Sequence, residues 1–265
     1  MKRFLDILLE PSLNNSFDID GQERLVLHRA ILERKRMLRE VFAEFHALFR
    51  QLETRFITGQ GLSVEIGAGV AMMRNSYPEI LATDLVPAPY LDRTINAESM
   101  DFEDESVRVI FGQNCFHHFP HPNRFFDELN RVLTPGGGVI LLEPYYGPLA
   151  SFIFKRLFHT EGFDCDYPSW ETPSAGPMNG ANQALSYIVF VRDRLEFEKK
   201  HRSLAIVHIQ LADNYLKYLL SGGLNFRQLV PNFLTPMVSF FEKILSPLNQ
   251  GLALHHIIVL RKKSE

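Results

Sequence analysis

The sequence predicts an α/β protein built on one doubly wound sheet of about seven strands with a helical cap. Short apolar runs alternate with helix-like segments between residues 57 and 143, and a glycine turn, Gly67-Ala68-Gly69, directly follows the first run. Strands that alternate with helices in short units favour a parallel sheet with helices on both faces. A chain of 265 residues is long enough to bury such a core.

The composition is that of an ordinary globular protein. Hydrophobic residues make up 46% and charged residues 22%, which excludes disordered, collagen-like and coiled-coil chains. The net charge of −3 predicts no nucleic-acid partner and no anionic membrane surface. Two cysteines, Cys115 and Cys165, are too few for a disulfide framework, so we expect reduced cytosolic thiols.

No membrane span is expected. The uncharged stretch 228–241 is shorter than the roughly 20 residues that a spanning helix needs, and it contains two prolines. The first residues have no apolar core typical of a signal peptide, because Asp6 and Glu10 interrupt them. We therefore expect a cytoplasmic protein.

Four regions divide the chain. Residues 1–56 are an N-terminal segment that ends in a long amphipathic helix, 22–56, which packs on the domain or forms a lid; a homodimer seam is the alternative. Residues 57–143 form the ligand-binding core, and the proline-rich residues 144–200 form an insertion on the acceptor side. Residues 201–265 hold the last two strands, antiparallel to some extent, with a helical insertion between them.

The core region is predicted to contain five strands and one clear helix. A break at Pro135-Gly136-Gly137-Gly138 is predicted to precede the fifth strand. The predicted strands are 62–66, 79–84, 93–95, 108–114 and 139–142, the helix is 122–133, and two further strands are 203–211 and 254–261.

Polar residues stand where the strands are predicted to end. Glu65 precedes the glycines, Asp84 ends the next strand and Asn114 ends the fourth. Ligands of open α/β sheets bind at this carboxyl edge, and an acid after the second strand is placed to accept hydrogen bonds from a ribose. Glu65 would repel a pyrophosphate, and Met72 stands where the dinucleotide-binding motif requires its third glycine. The pattern favours a nucleoside with an amino-acid tail.

These residues resemble the successive motifs of the class I S-adenosylmethionine-dependent methyltransferases, in their broad small-molecule, type 11-like branch. The resemblance covers about residues 60–145 and implies a Rossmann-like sheet. The motifs are Glu65-Ile66-Gly67-Ala68-Gly69, Asp84-Leu85, Asn96-Ala97-Glu98, Phe102-Glu103-Asp104-Glu105-Ser106 and Leu133-Thr134-Pro135-Gly136-Gly137.

The resemblance implies S-adenosylmethionine as the cofactor and a role for each matching residue. Glu65, Gly67, Ala68 and Gly69 would surround the methionine portion, Asp84 would hold the ribose hydroxyls, and Leu85 would pack on the adenine. Ala97 and Glu98 would border the adenine edge, and Asn114 and Cys115 would lie beneath the methionine portion. Two departures are Ala71, where many members carry a third glycine, and Asn96, where an acid is common.

The catalytic residues are not identified by the sequence. Candidates for contact with the acceptor, or for a general base, are His117, His118, Glu143 and His159, which lie in loops after predicted strands or in the insertion. No metal site is expected, because thiolate or carboxylate ligands are not evident near the histidines of 116–121.

The sequence therefore predicts an enzyme that methylates an O or N atom of a small molecule or of a saccharide- or lipid-linked intermediate. Most phenylalanines of 111–163 and 226–241 are expected in the core, and some are expected to line an apolar acceptor cavity. A catalytically inactive methyltransferase-like binding or assembly protein is the alternative, and a nicotinamide reductase is a third hypothesis.

Overall fold

A seven-stranded sheet forms the centre of the computed structural model, which describes residues 8–13, 18, 20–157, 161–173, 176, 178 and 181–264. The strands are β1 Leu62–Ile66, β2 Leu81–Asp84, β3 Arg93–Thr94, β4 Val107–Gln113, β5 Leu133–Pro144, β6 Leu204–Leu211 and β7 His255–Lys262. Their order is β3-β2-β1-β4-β5-β7-β6. The predicted fold class, a Rossmann-like sheet of seven strands, is confirmed.

The direction of the strands differs from the expectation at one point. Strands β1 to β5 are parallel to their neighbours, whereas β7 runs antiparallel to both β5 and β6. Because β7 is antiparallel to both partners, β6 again points the same way as β5. Among the strands of the described residues, β7 alone is reversed.

Helices cover both faces of the sheet. The longer ones are α1 Gln22–Arg34, α2 Arg36–Phe56, α3 Pro122–Val132, α4 Pro148–Leu157, α5 Arg194–Lys200, α6 Tyr215–Ser221 and α7 Thr235–Leu245. Short turns lie at Pro11–Leu13, Met72–Asn75, Phe116–His118, Leu185–Tyr187, Ile188–Arg192, Asn232–Leu234, Ser246–Leu248 and Asn249–Leu252. None of the helices in the described part of the chain combines the length and the apolar character needed to cross a bilayer.

Alternate residues of each central strand face opposite cores, as the two-residue period of a strand requires. Ile110 points into the layer that contains Phe126 of α3, and its neighbour Phe111 points into the layer that contains Phe49 of α2. The rings of Phe49 and Phe111 lie 5.5 Å apart. Each such buried side chain contributes about 1.5–3 kcal/mol. The sheet is thus held from both faces.

The helix predicted over 22–56 is interrupted at Lys35. Its backbone leaves the helical region with φ −92° and ψ 85°. The Lys35 Nζ donates to the carbonyl oxygen of Gly223 at 2.9 Å and to that of Phe226, and it lies 3.3 Å from a carboxylate oxygen of Glu10. These partners are distant in sequence, so the periodicity of the segment carries no sign of the break.

The predicted break before the fifth strand is also wrong, because β5 already begins at Leu133. Leu133 pairs with Val107 and Gly138 with Val109, so residues 134–137 bulge opposite Arg108. A Cβ on Gly138 would lie 2.2 Å from the carbonyl oxygen of Leu260. The glycine is therefore needed for close approach of β7 and does not end the strand.

Helix α7 presents an apolar face to solvent. Val238 is buried against the body of the protein, whereas Phe240 and Ile244 are 59% and 56% exposed. Phe233, just before the helix, is 78% exposed. These aromatic residues of 226–241 lie at the surface and not in the core, in contrast to Phe154 and Phe163, which are buried.

Candidate functional site

A left-handed turn joins β1 to the first short helical turn. Gly67 has φ 58° and Gly69 has φ 54°, a region that favours glycine. Ala71 adopts the same conformation with φ 55°, although it carries a Cβ. The turn therefore forms with alanine at position 71, where the family often has glycine. The helix expected after it is only the single 3-10 turn Met72–Asn75.

Gly67 and Gly69 differ in what surrounds them. A Cβ on Gly67 would lie 2.6 Å from the Cβ of Cys115, whereas a Cβ on Gly69 would meet nothing within 4 Å. Gly67 therefore lets the turn pass close to the end of β4. Gly69 borders open space, which leaves its backbone accessible to a ligand.

Asp84 ties the second strand to this turn. One carboxylate oxygen accepts a hydrogen bond from the N–H of Gly69 at 2.8 Å, and the other accepts from the N–H of Val86 at 2.9 Å. Two backbone donors orient the carboxylate, and each of its oxygens retains a lone pair for a further donor. Asp84 is thus held at the carboxyl edge beside the glycines.

Glu65 lies buried next to Asp84, and its Oε2 has no hydrogen-bond partner. Burial raises the pKa of Glu65 to about 8, the negative charge of Asp84 adds to the increase, and Arg74 opposes it. An unpartnered buried carboxyl group is costly unless a donor satisfies it. The position suits a cationic donor from a ligand.

Asn114 and Cys115 follow β4 at the same edge. Asn114 has φ 51°, a left-handed conformation that asparagine tolerates better than most residues, and its N–H donates to the carbonyl of Leu142 at 2.8 Å. Its side-chain Oδ1 is buried without a partner. Burial, with the carboxylate of Glu143 second, raises the pKa of the Cys115 thiol well above its usual value. Cys115 is therefore a neutral packing group.

The residues that the resemblance implies for the adenine follow β2 and β3 along the chain. Leu85 is 49% exposed, unusually accessible for a leucine that directly follows a buried strand, and Ala97 is buried. Glu98 accepts a hydrogen bond from the N–H of His121 at 2.6 Å, which links the β3 loop to the β4 loop. The structure brings these three residues to the same edge as Asp84.

Two further unpartnered groups lie near this edge, and neither was predicted from the sequence. Arg24 of α1 is only 9% exposed, its Nε has no partner, and it has no ion pair among the described residues. The hydroxyl of Tyr90, on the loop after β2, is also unpartnered. Burial raises the pKa of Tyr90 and lowers that of His118, and the positive charge of Arg24 is close enough to have a smaller lowering influence on both.

A signal for Arg24 is visible in the sequence once its burial is known. Arg24 and Ile31 stand seven residues apart on α1, and both are buried. An arginine at an apolar position of a helical stripe needs an explanation, because charged groups are rarely buried without a partner.

Glu143 and His117 form a buried pair beneath the loop after β4. Glu143 is fully buried and accepts hydrogen bonds from the N–H groups of Cys115 at 3.0 Å and Phe116 at 2.9 Å. Its other oxygen lies 2.6 Å from Nδ1 of His117. With these contacts Glu143 orients the loop and the imidazole, and it has no surface for an acceptor.

His118 and Glu161 complete the cluster on the outer side of His117. His117 Nε2 lies 3.4 Å from one carboxylate oxygen of Glu161, and His118 Nε2 lies 4.0 Å from the other. Burial would lower the pKa of His117, but Glu143 and Glu161 outweigh it and raise that pKa to about 10. Burial, then the charge of His117, lowers the pKa of His118 to about 3.

The remaining candidates from the sequence are less central. His159 lies outside the described residues. Glu161 lies in the insertion two residues after His159, and its contact with His117 comes from the fold.

Comparison with known families gives one domain match, which covers part of the chain. Residues 64–141 match a model described as a methyltransferase domain. This range contains the glycine turn, Asp84, Asn114 and His117.

Similarity to characterised sequences is local. A 42-residue stretch is 48% identical to phthiotriol/phenolphthiotriol dimycocerosates methyltransferase 1 of Mycobacterium ulcerans, and it covers 16% of each protein. The corresponding protein of Mycobacterium tuberculosis H37Rv is 45% identical over 42 residues, again 16% of each protein. The chain thus matches about a sixth of the length of these relatives.

Solved structures are similar over most of the chain at low identity. Phosphoethanolamine N-methyltransferase 2 of Haemonchus contortus, in complex with S-adenosyl-L-methionine, covers 94% of this chain and 58% of its own at 12% identity and a TM-score of 0.48. Geranyl diphosphate C-methyltransferase of Streptomyces coelicolor covers 84% of this chain and 82% of its own at 14% identity and a TM-score of 0.47.

Proposed function

Because the chain carries a class I S-adenosylmethionine-dependent methyltransferase domain, whose cofactor is S-adenosylmethionine, we propose that it methylates an O or N atom of a small molecule or of a saccharide- or lipid-linked intermediate. The resemblance found in the sequence is confirmed by the domain match, which falls on the same residues. The geometry of the carboxyl edge supports one place for the donor and another for the acceptor.

The observation that carries the proposal is the set of unsatisfied groups at the carboxyl edge. Glu65 Oε2 and Asn114 Oδ1 are buried acceptors without donors, beside a glycine turn with open space at Gly69. The ammonium group of a methionine moiety would supply those donors. Asp84, fixed by two backbone N–H groups, would accept from the ribose hydroxyls. A pyrophosphate in the same place would face two carboxyl groups.

Arg24 extends this fit to the other end of the amino-acid moiety. Arg24 is only 9% exposed, its Nε is buried without a hydrogen-bond partner, and it has no anionic partner among the described residues, which is a costly arrangement for a charged side chain. The carboxylate of the donor would supply that partner. In this arrangement α1 acts as a cover over the donor, which is one of the two roles expected for the N-terminal helix.

The acceptor would enter on the side of His118 and Glu161. When bound, S-adenosylmethionine supplies a methyl group already activated by its sulfonium, so the protein has to align the two reactants and exclude water. Glu143 contributes by holding His117 and the N–H groups of the loop in one orientation. Glu161 and His118 keep 17% and 12% of their side-chain surface exposed, and this is the surface that a bound acceptor would meet.

Two further observations bear on the choice of acceptor and on the inactive alternative. The short match to enzymes named for phthiotriol dimycocerosates supports inclusion of lipid-linked acceptors among those to be tested.

Ala71 adopts the left-handed conformation of a glycine, so its presence gives no support to an inactive binding protein.

The test is transfer of a labelled methyl group. Purified protein, S-adenosylmethionine labelled in the methyl group, and separate pools of phenols, amines, saccharides and extracted lipids are incubated together. The proposal predicts label in at least one pool and loss of that label with Asp84→Asn. An absence of transfer to every pool, together with normal donor binding, would favour the inactive alternative.

A further inference from the structure

We propose that His117, His118 and Glu161 form a binding site for one divalent first-row transition-metal ion at the acceptor end of the cleft. No carboxylate is adjacent to the two histidines in the sequence. The fold supplies one, because the insertion brings Glu161 against the loop that follows β4.

The three side chains converge on one point. One ligand atom from each, the two imidazole nitrogens and a carboxylate oxygen, lies within 4.8 Å of the others. Metal–nitrogen and metal–oxygen bonds are about 2.0–2.2 Å long, so small side-chain shifts would place all three atoms around one ion. Two histidines and one carboxylate are a ligand set that divalent first-row metals accept, with further positions left open.

Glu143 holds His117 in the orientation that such a site needs. Its Oε2 lies 2.6 Å from Nδ1 of His117, which directs Nε2 of the same ring toward Glu161. A carboxylate behind a metal-ligating histidine fixes the tautomer and strengthens the ligand. Glu143 is fully buried, so no water competes with His117 for this contact.

The charges around the cluster favour a bound cation. Glu143 and Glu161 lie on either side of the His117 ring, 2.6 Å from its Nδ1 and 3.4 Å from its Nε2. A divalent ion bound by two neutral imidazoles would neutralise both carboxylates. His118 contributes its Nε2, which lies 4.0 Å from the second carboxylate oxygen of Glu161.

The open positions of the ion would take an oxygen of the acceptor, and this part rests on the proposed methyl transfer. A hydroxyl bound to such an ion would lose its proton more readily, so that water could accept the proton without a dedicated base. The oxygen would then take the methyl group as the bond from that methyl to the sulfonium breaks, and S-adenosylhomocysteine would leave. The acceptor class would then be molecules with a hydroxyl or another oxygen that can ligate a metal.

The experiment uses Co²⁺ as the probe, followed by its visible absorption during titration of the full-length, chelator-treated protein. We expect one Co²⁺ per chain, displaced by Zn²⁺. His118→Ala and Glu161→Gln are each expected to weaken Co²⁺ binding at least about tenfold. His121→Ala is the control, because His121 is in the same loop but lies 3.9 Å from an exposed Glu171.

Folding and donor binding are measured on the same variants. Circular dichroism and titration with S-adenosylhomocysteine report whether each variant is intact, independently of metal. Absence of Co²⁺ binding by the intact wild-type protein would mean that a protonated His117 alone bridges the carboxylates, and the proposal would be overturned. Equal Co²⁺ affinity in wild type and Glu161→Gln would overturn it too. If the intact wild-type protein binds Co²⁺ but not S-adenosylhomocysteine, the result would instead count against the proposed function.

Discussion

The N–H of Gly69 donates a hydrogen bond to the carboxylate of Asp84 over 2.8 Å, which joins the glycine turn after β1 to the end of β2. The residue expected to hold the ribose therefore also fixes the turn expected to hold the methionine portion. The two halves of the donor site are one connected structure. Changes at either residue should affect both the fold and ligand binding.

The two glycines of the turn should respond differently to alanine. Gly67→Ala adds backbone strain at φ 58° and a contact with Cys115, and we expect it to lower the free energy of unfolding by about 3 kcal/mol. Gly69→Ala adds only the strain at φ 54°, about 1 kcal/mol. Urea unfolding followed by circular dichroism measures both values, and an equal loss in the two variants would contradict the close approach at Gly67.

Donor binding should release a proton from Glu65. Its pKa is raised to about 8 in the free protein, so near pH 6.5 the group is protonated, and an ammonium ligand favours the charged form. Binding of S-adenosylhomocysteine should therefore strengthen as the pH rises from 6 to about 8. Calorimetry in buffers of different ionisation enthalpy measures the released proton. Glu65→Gln should bind without that release, and wild type without proton release would refute the assignment.

The same group has a consequence for stability without ligand. A folded-state pKa of about 8, above the ordinary value of 4.5, means that the folded protein retains a proton that the unfolded chain loses. The contribution of Glu65 to stability is complete below pH 4.5 and is lost as the pH rises through 8. Glu65→Gln should be less sensitive to pH across this window than wild type, as judged by urea midpoints.

Arg24 should distinguish ligands by their carboxylate. Arg24→Gln is expected to weaken S-adenosylhomocysteine binding about tenfold or more, because a buried charge pair is lost. Methylthioadenosine, which lacks the amino-acid end, should bind wild type and Arg24→Gln equally. A matched control is Arg36→Gln, on the exposed surface of α2. Equal loss for both ligands would indicate a general effect on the helix.

The break between α1 and α2 should depend on the charge of Lys35. Lys35→Met removes the cation shared by Glu10 and two backbone carbonyls, and we expect a loss of about 3 kcal/mol in the free energy of unfolding. Arg36→Ala breaks only an exposed pair with Glu40 and should change stability by less than about 1 kcal/mol. Urea titration of both variants checks the difference. Similar values would show that Lys35 is not held by its partners.

Much of the fold could be predicted from local patterns. The strands before Gly67 and Asp84 are marked by apolar runs, and both residues lie at the carboxyl edge as expected. These features depend on residues that are close together in the sequence, so one sequence without homologues is enough to predict them. The glycine turn was also predicted, because its left-handed backbone leaves a signature in residue type.

The features that the sequence did not reveal depend on contacts between distant segments. The break at Lys35 results from its contacts with carbonyls near residue 223, and the bulge before Gly138 results from the close approach of β7. The contact between His117 and Glu161 depends on how the insertion folds back over the loop after β4. No local period encodes any of these contacts.

The central claim is that the carboxyl edge binds the donor through Asp84, and calorimetric titration with S-adenosylhomocysteine tests it most directly. The account predicts one site per chain in wild type, affinity at least about tenfold weaker in Asp84→Asn, and unchanged affinity in Asp101→Asn, where an exposed acid near β3 is altered in the same way. No binding heat at millimolar ligand in folded wild type, or equal affinity in all three proteins, would contradict it.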